Sequence, residues 1–211
     1  LSKEFEVKKV DKISVAFNYT DTPTFAQGST SPMNFSLTPY NAKGVRYEVS
    51  TSNKNVVVTE LNGSFILFAQ LPGVTKVTVK AYVEGIDEPA TTSVDVVVMP
   101  KAFNVNELGK TYGIEGVWTV AKVNADGSDT VNKLTLSYGK DVGEGFLENV
   151  KWVAVDAEGK EIGDVSINSD GEFKILSNSF VGDVYFKAVY SYEEKVLKES
   201  TPVKVECIGN A

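Results

Sequence analysis

Apolar and polar positions alternate along much of the chain. Val77, Val79, Ala81 and Val83 occupy every second position, with Thr78, Lys80, Tyr82 and Glu84 between them. A period of two sends successive side chains to opposite faces of extended backbone, so this stretch predicts a strand with one buried and one wetted face. The pattern returns at Val184, Phe186, Ala188 and Tyr190, with Tyr185, Lys187 and Val189 on the other face. It returns again at Val94, Val96 and Val98 and at Val203 and Val205. Helical spacing hardly occurs, and only short helical turns are expected, around Asn106 to Gly109.

The alternating pieces come twice in the same order. VKWVAVDAEG, from Val150, follows a rougher version, VRYEVSTSNK, which begins at Val45, 150 − 45 = 105 positions earlier. SLTPY (Ser36 to Tyr40) answers TLSY (Thr135 to Tyr138), NGSF (Asn62 to Phe65) answers DGEF (Asp170 to Phe173), and Gly73 answers Gly182. The offset at the turn glycine is 171 − 63 = 108 and at the later glycine 182 − 73 = 109, a drift of the size that changes in loop length produce. An internal duplication is the reading.

Between the copies lies MPKAFNVNELGKTYG, Met99 to Gly113, where alternation lapses and Pro100 removes a ladder donor. The expected domains are residues 1–100 and 101–211, with the boundary near 100–110. Each would supply about seven short strands punctuated by Gly, Asn, Asp and Pro, the pattern of an antiparallel sandwich. A sheet with one apolar side must press that side on another layer. Trp152 then reads as an aromatic wedged between the sheets of the second domain, with Tyr47 in the matching place in the first.

Composition adds weight to the β reading. Of 211 residues 32 are valine, with many Thr, Tyr and Phe, all suited to a pleated surface. The longest aliphatic run is VVVM (Val96 to Met99), whereas a membrane-spanning helix needs ~20 apolar residues, so no span is expected. Net charge is −7, with 9 basic and 10 acidic groups in residues 1–100 and 12 and 18 in residues 101–211. There is no basic stripe to displace counterions, which argues against nucleic acid as a partner. Cys207 is the one cysteine, and in VKVEC it shares a face with Val203 and Val205, so a core position is expected. The chain opens at Leu1 without a basic and apolar leader, which suggests a mature or trimmed product.

Candidate chemistry is sparse. The chain has no histidine, which removes the commonest general base and the usual Ser-His arrangement. Glu193 and Glu194, the obvious acidic neighbours, are expected to point to opposite faces of a strand and so cannot act as a carboxylate pair. NADGSD (Asn124 to Asp129), DAEGKEIGD (Asp156 to Asp164) and NSDGE (Asn168 to Glu172) are rich in oxygen ligands, but Asp-Gly is also a preferred tight-turn pair, and hairpin turns are the expectation rather than calcium sites. No phosphate-binding glycine motif occurs. Tyr82, Tyr185 and Tyr192 are expected on outward faces, where rings can stack on sugars, anchor a protein or simply cover an interface. No residue is assigned as catalytic, cofactor-binding or metal-ligating, and no cofactor is expected.

The recurring order of V-x-aromatic strand, N/D-G turn with an apolar residue two positions on, and a Gly-initiated alternating strand ending in Ala resembles the bacterial immunoglobulin-like (Big-type) domains of surface adhesins and lipoproteins. The matching pieces are VRYEV, LNGSF and PGVTKVTVKA, then VKWVA, SDGEF and VGDVYFKA. The resemblance implies an all-β fold of two tandem immunoglobulin-like β-sandwich domains, antiparallel, with little or no helix. It implies a non-enzymatic bacterial cell-surface module for adhesion to another protein or a glycan, extracytoplasmic and anchored, if at all, through a removed lipid-bearing segment. Its alternatives are an accessory protein of a glycan-uptake system and a strand-donating fimbrial subunit. Two pieces depart from the pattern: GKDVGEGFLEN (Gly139 to Asn149) and DTPTFAQGSTSP (Asp21 to Pro32). Loops are where binding tends to reside, so either is a specialised or an idle insertion.

Overall fold

The computed structural model describes residues 12–106, 118–121, 132–139, 141–177 and 180–208. The chain divides into two compact units, Leu1–Met99 and Pro100–Ala211.

The first unit contains β1 (Ser14–Phe17), β2 (Thr24–Ala26), β3 (Thr30–Pro32), β4 (Phe35–Thr38), β5 (Arg46–Thr51), β6 (Val56–Leu61), β7 (Ser64–Ala69), β8 (Gly73–Tyr82) and β9 (Ala90–Met99). One layer runs β3-β7-β6, with β4 following β3 after Met33–Asn34 and pairing with β1. The other runs β2-β9-β8-β5. The chain's first stretch thus serves both layers: β1 pairs antiparallel with β4 in one, and β2 pairs parallel with β9 in the other. These are the two layers of an immunoglobulin-like sandwich.

The second unit repeats this order. It contains β10 (Asn104–Asn106), β11 (Trp118–Ala121), β12 (Asn132–Lys133), β13 (Thr135–Ser137), β14 (Val150–Val155), β15 (Val165–Ile167), β16 (Glu172–Ile175), β17 (Gly182–Tyr192), β18 (Lys195–Glu199) and β19 (Val203–Ile208). β10 pairs with β13, the second layer runs β12-β16-β15, and the third grouping runs β11-β19-β17-β14 with β18 on β17. β11 meets β19 in parallel, as β2 meets β9. The one departure is that the last strand is split: β18 and β19 together take the place of β9. Pro202 cannot donate to a ladder there, and Ser200 fills the gap, its hydroxyl accepting from the Ala188 N–H at 2.9 Å while its own N–H donates to Ala188 O at 2.9 Å. Among the described residues the pairing is therefore antiparallel apart from one parallel contact per unit, which period alone does not announce. Helix is confined, among the described residues, to a single 3-10 turn at Leu147–Asn149.

Alternation places the core as expected. Val77, Val79, Ala81 and Val83 are buried, as are Val184, Phe186, Ala188 and Tyr190. Each fully buried Val or Phe contributes roughly 1.5–3 kcal/mol through lost water contact. Cys207 is buried beside this set, and burial pushes its thiol up to about 11. Val97 and Val189 lie on the outward phase yet are buried as well. Val189 stands between Lys151 and Glu199 in the ladder, whose long stems flank it, and Val97 stands between Thr24 and Val74.

The aromatic wedges are present, though partly rather than fully buried. The Tyr47 ring lies 5.1 Å from Phe35 on β4 and 6.4 Å from Phe65 on β7, so it bridges the layers. Trp152, on β14, approaches Gly171 in the β15–β16 turn. The two departing segments are built into the fold. Phe146, in the Gly139–Asn149 piece, is fully buried with ring centroids 4.9 Å from Tyr190, 5.3 Å from Tyr138 and 6.3 Å from Phe103. The Asp21–Pro32 piece supplies β2 and β3, and its Phe25 packs on the first core. Phe103 and Val105 are buried within the second unit and β10 already pairs there, so order begins soon after Pro100. Asn106 closes β10, and the rest of the expected helical turns, residues 107–109, lies outside the described residues.

Candidate binding surfaces

The most organised polar cluster stands on the outward face of β5 and β8. Arg46 and Tyr82 are opposite one another in register, and Glu48 is opposite Lys80. Cross-strand neighbours on one face are close enough for side chains to meet. The Arg46 guanidinium lies 4.3 Å from the Tyr82 ring centroid and donates from Nη1 to Glu48 Oε1 at 2.6 Å. The Tyr82 hydroxyl donates to Glu48 Oε2 at 2.8 Å. The hydrogen bond from Arg46, and next that from Tyr82, holds the Glu48 carboxyl below the usual carboxylate range. The same bond to Glu48, with burial second, holds the Tyr82 phenol above its usual range. The Arg46–Glu48 pair is well exposed, so its worth lies in fixing shape rather than in stability. The polar ladder continues through Thr78 and Ser93, hydroxyls 2.9 Å apart, to Lys76 and Asp95 at 2.8 Å.

Tyr82 is thus outward, with one ring face taken by Arg46. Tyr185 is also outward and half-buried, between Val155 and Lys204 in the ladder, with Lys204 bonded to Asp183 at 2.7 Å. Tyr192 sits at the end of β17, 192 − 185 = 7 positions on, roughly 23 Å at the rise of a strand. The two therefore form no joint platform.

Glu193 and Glu194 do not occupy a strand. They are the two central residues of the β17–β18 turn, with φ of 47° and 64°, because the hairpin needs two left-handed residues between Tyr192 and Lys195. Two acidic runs are turns of one design. Asp156 Oδ1 accepts from the N–H groups of Glu158 and Lys160 at 3.0 and 2.8 Å, and Asn168 Oδ1 from those of Asp170 and Glu172 at 3.0 and 2.9 Å. The side-chain oxygen that a cation would want is holding main chain instead. Among the described residues no three His, Cys, Asp or Glu side chains gather to hold a metal ion. The run Asn124 to Asp129 lies outside the described residues. No described helix is long and apolar enough to cross a membrane.

A second surface is apolar. On the outer face of the β3-β7-β6 layer, Val57 stands opposite Phe68, and both remain about two-fifths exposed, at 41% and 39%. Leu61 at the end of β6 is 60% exposed, and Pro32 and Ile66 lie opposite one another nearby. Away from this layer, Tyr40 in the β4–β5 loop is 92% exposed, the most open ring among the described residues. The signal for the apolar face was in VVV and FILF, where neighbouring positions are both apolar and alternation fails.

No family model and no curated protein matches the chain. Solved structures similar to it include the three N-terminal domains of the Highly Immunogenic Outer Capsid protein of bacteriophage RB49, at 15% identity and TM-score 0.37 over 94% of this chain and 71% of that one. The D00–D0 domain of intimin is similar at 14% identity and TM-score 0.35, over 92% and 99%. The Bacteroides ovatus mixed-linkage glucan utilization locus SGBP-B, in complex with a mixed-linkage heptasaccharide, is similar at 14% identity and TM-score 0.32, over 94% and 48%. The immunoglobulin-like fold rests on the strand order of each unit, to which similarities this low add nothing.

Proposed function

We propose that this chain is a non-enzymatic binding module of the bacterial cell surface, of the Big type, which adheres to a protein or glycan through outward side chains held by rigid sandwiches. The observation that carries the reading is the exposure of large apolar side chains, Val57, Phe68 and Leu61 on one face and Tyr40 on a loop, in a unit whose core is already filled. Exposed apolar patches on stable domains mark interaction sites. The motif resemblance supports the bacterial, extracytoplasmic setting and a duplicated origin for the two units.

The glycan-accessory reading is favoured by Tyr40, an open ring of the kind that stacks on sugars. Strand donation is less favoured: at the end of β9, Val97 and Val98 already pair with β2 on one side and β8 on the other. The test is a glycan and host-protein binding screen with the whole chain. A ligand whose binding falls at least ~tenfold in Tyr40→Ala or Phe68→Ser supports the module reading. A hit unaffected by either, or turnover of a substrate, overturns it.

A further inference from the structure

We propose that the free edge of β6 pairs with β6 of a second copy of this chain, joining two β3-β7-β6 layers into one continuous sheet. The inference is independent of which ligand the outward faces take.

The main-chain phase of β6 follows from its partner. Phe65 O accepts from the Met33 N–H at 2.9 Å, and Ala69 N–H donates to Ser29 O at 2.9 Å, so Phe65 and Ala69 direct their main-chain groups towards β3. In an antiparallel ladder hydrogen-bonded and non-bonded pairs alternate. Leu61, Thr59 and Val57 therefore bond to Ser64, Ile66 and Phe68, while Val56, Val58 and Glu60 turn their N–H and C=O groups to the outside. Among the described residues β6 has no neighbour on that side.

Several other edges of these sandwiches are short or defended. β1, β2, β10 and β15 are only three or four residues long. β5 presents Arg46 and Glu48. β14 is closed by the returning chain, where Ile162 N–H donates to Ala154 O at 3.1 Å and Val155 bridges Glu161. β6 is six residues, VVVTEL, with no Lys, Pro, Gly or bulge, and beside it runs the apolar face of Val57, Leu61 and Phe68. A long, apolar, undefended edge is the kind that accepts another strand.

The occupant that fits is β6 itself. A two-fold axis through Val58 pairs Val58 with Val58 of the other copy, and Val56 with Glu60, giving two hydrogen bonds for each of these three pairs. The two Glu60 carboxylates then fall four positions apart and never face each other. Lys54 is exposed in the turn that leads into β6, two positions before Val56, so in this register it lies at the strand end that receives Glu60 of the other copy. In this register the acid near one end of β6 approaches the end preceded by a base, although the chain carries net charge −7.

Sedimentation equilibrium of the full chain over a concentration series tests the pairing. The expected result is a reversible dimer. Val57→Lys changes an exposed outward side chain and places two like charges diagonally across the axis, so dimerisation should weaken at least ~tenfold, with the melting temperature unchanged at dilutions where the chain is monomeric. Glu60→Lys alone should weaken it, and Glu60→Lys with Lys54→Glu should restore it. Amides of Val56, Val58 and Glu60 should gain exchange protection only as concentration rises. A chain that stays monomeric throughout, a dimer indifferent to Val57→Lys, or no rescue by the charge swap overturns the proposal. Edge protection gained only on adding another protein, with this chain monomeric, overturns it too. Each failure leaves the ligand screen above unaffected.

Discussion

Gly171 shows how much one hydrogen in place of a methyl group can decide. It adopts φ of 77°, and an added Cβ would run into the Leu134 carbonyl, which cannot retreat because Leu134 N–H donates to Gly171 O at 2.8 Å. Gly63 makes the corresponding turn of the first unit at the same φ of 77°, with open space where a Cβ would go. Gly63→Ala should therefore cost only left-handed strain, about 1–2 kcal/mol, and Gly171→Ala clearly more. Denaturant unfolding of both variants checks the ordering; equal costs would mean that the Leu134 carbonyl yields. Glu48 offers a residue-scale titration. Its carboxyl is held below the usual range, chiefly by Arg46, so folding favours its charged form. That contribution is present above the unfolded value and is lost as pH falls through the folded one. The Glu48 carboxyl resonance should titrate below that of an open glutamate, and return towards it in Arg46→Gln.

At the scale of elements, the hairpin between β17 and β18 is closed by two glutamates in conformations that Asn-Gly adopts readily. Glu193→Asn with Glu194→Gly should stabilise the second unit by about 1–2 kcal/mol, read as a raised denaturant midpoint. Destabilisation would show that these carboxylates contribute more than the strain they carry. This turn was illegible in the sequence because Glu-Glu is no turn signal, whereas NGSF and DGEF were legible because Asn-Gly and Asp-Gly are. The strands β8 and β17 were legible through strict alternation, with every Val and Ala of VTVKAYV on its expected face. β6 and β7 hid their apolar outer face because both phases are apolar there. Phe146, a single aromatic among glycines and acids, has no period to betray that it plugs the core. The parallel contacts were hidden for another reason: Thr24 meets Val97, and no local pattern reports a partner so distant in the chain.

At the scale of the whole molecule, the same strand order is built twice and the second unit begins abruptly. The Lys198 ammonium donates to Pro100 O at 2.7 Å and to Lys101 O at 3.0 Å, fastening the first residues of that unit to β18. Pro100 itself is buried. Composition had marked this region as a boundary through Pro100 and lapsed alternation, but a cation reaching back across nearly the length of the unit leaves no trace in spacing. Lys198→Met keeps most of the stem and removes the donor. It should speed tryptic cleavage after Lys101 several-fold at unchanged global stability, because local opening governs access when it is fast. Unchanged cleavage would mean that packing around Phe103 holds the segment without the ammonium.

Cys207 has a practical corollary. A sulfhydryl sealed in the core and reluctant to ionise should react only slowly with maleimides at neutral pH, so the native chain is expected to be nearly silent to thiol reagents. A cysteine placed at Tyr40 would take a fluorophore alone, and its emission would follow whatever docks at that loop without the background that a second reactive sulfur brings.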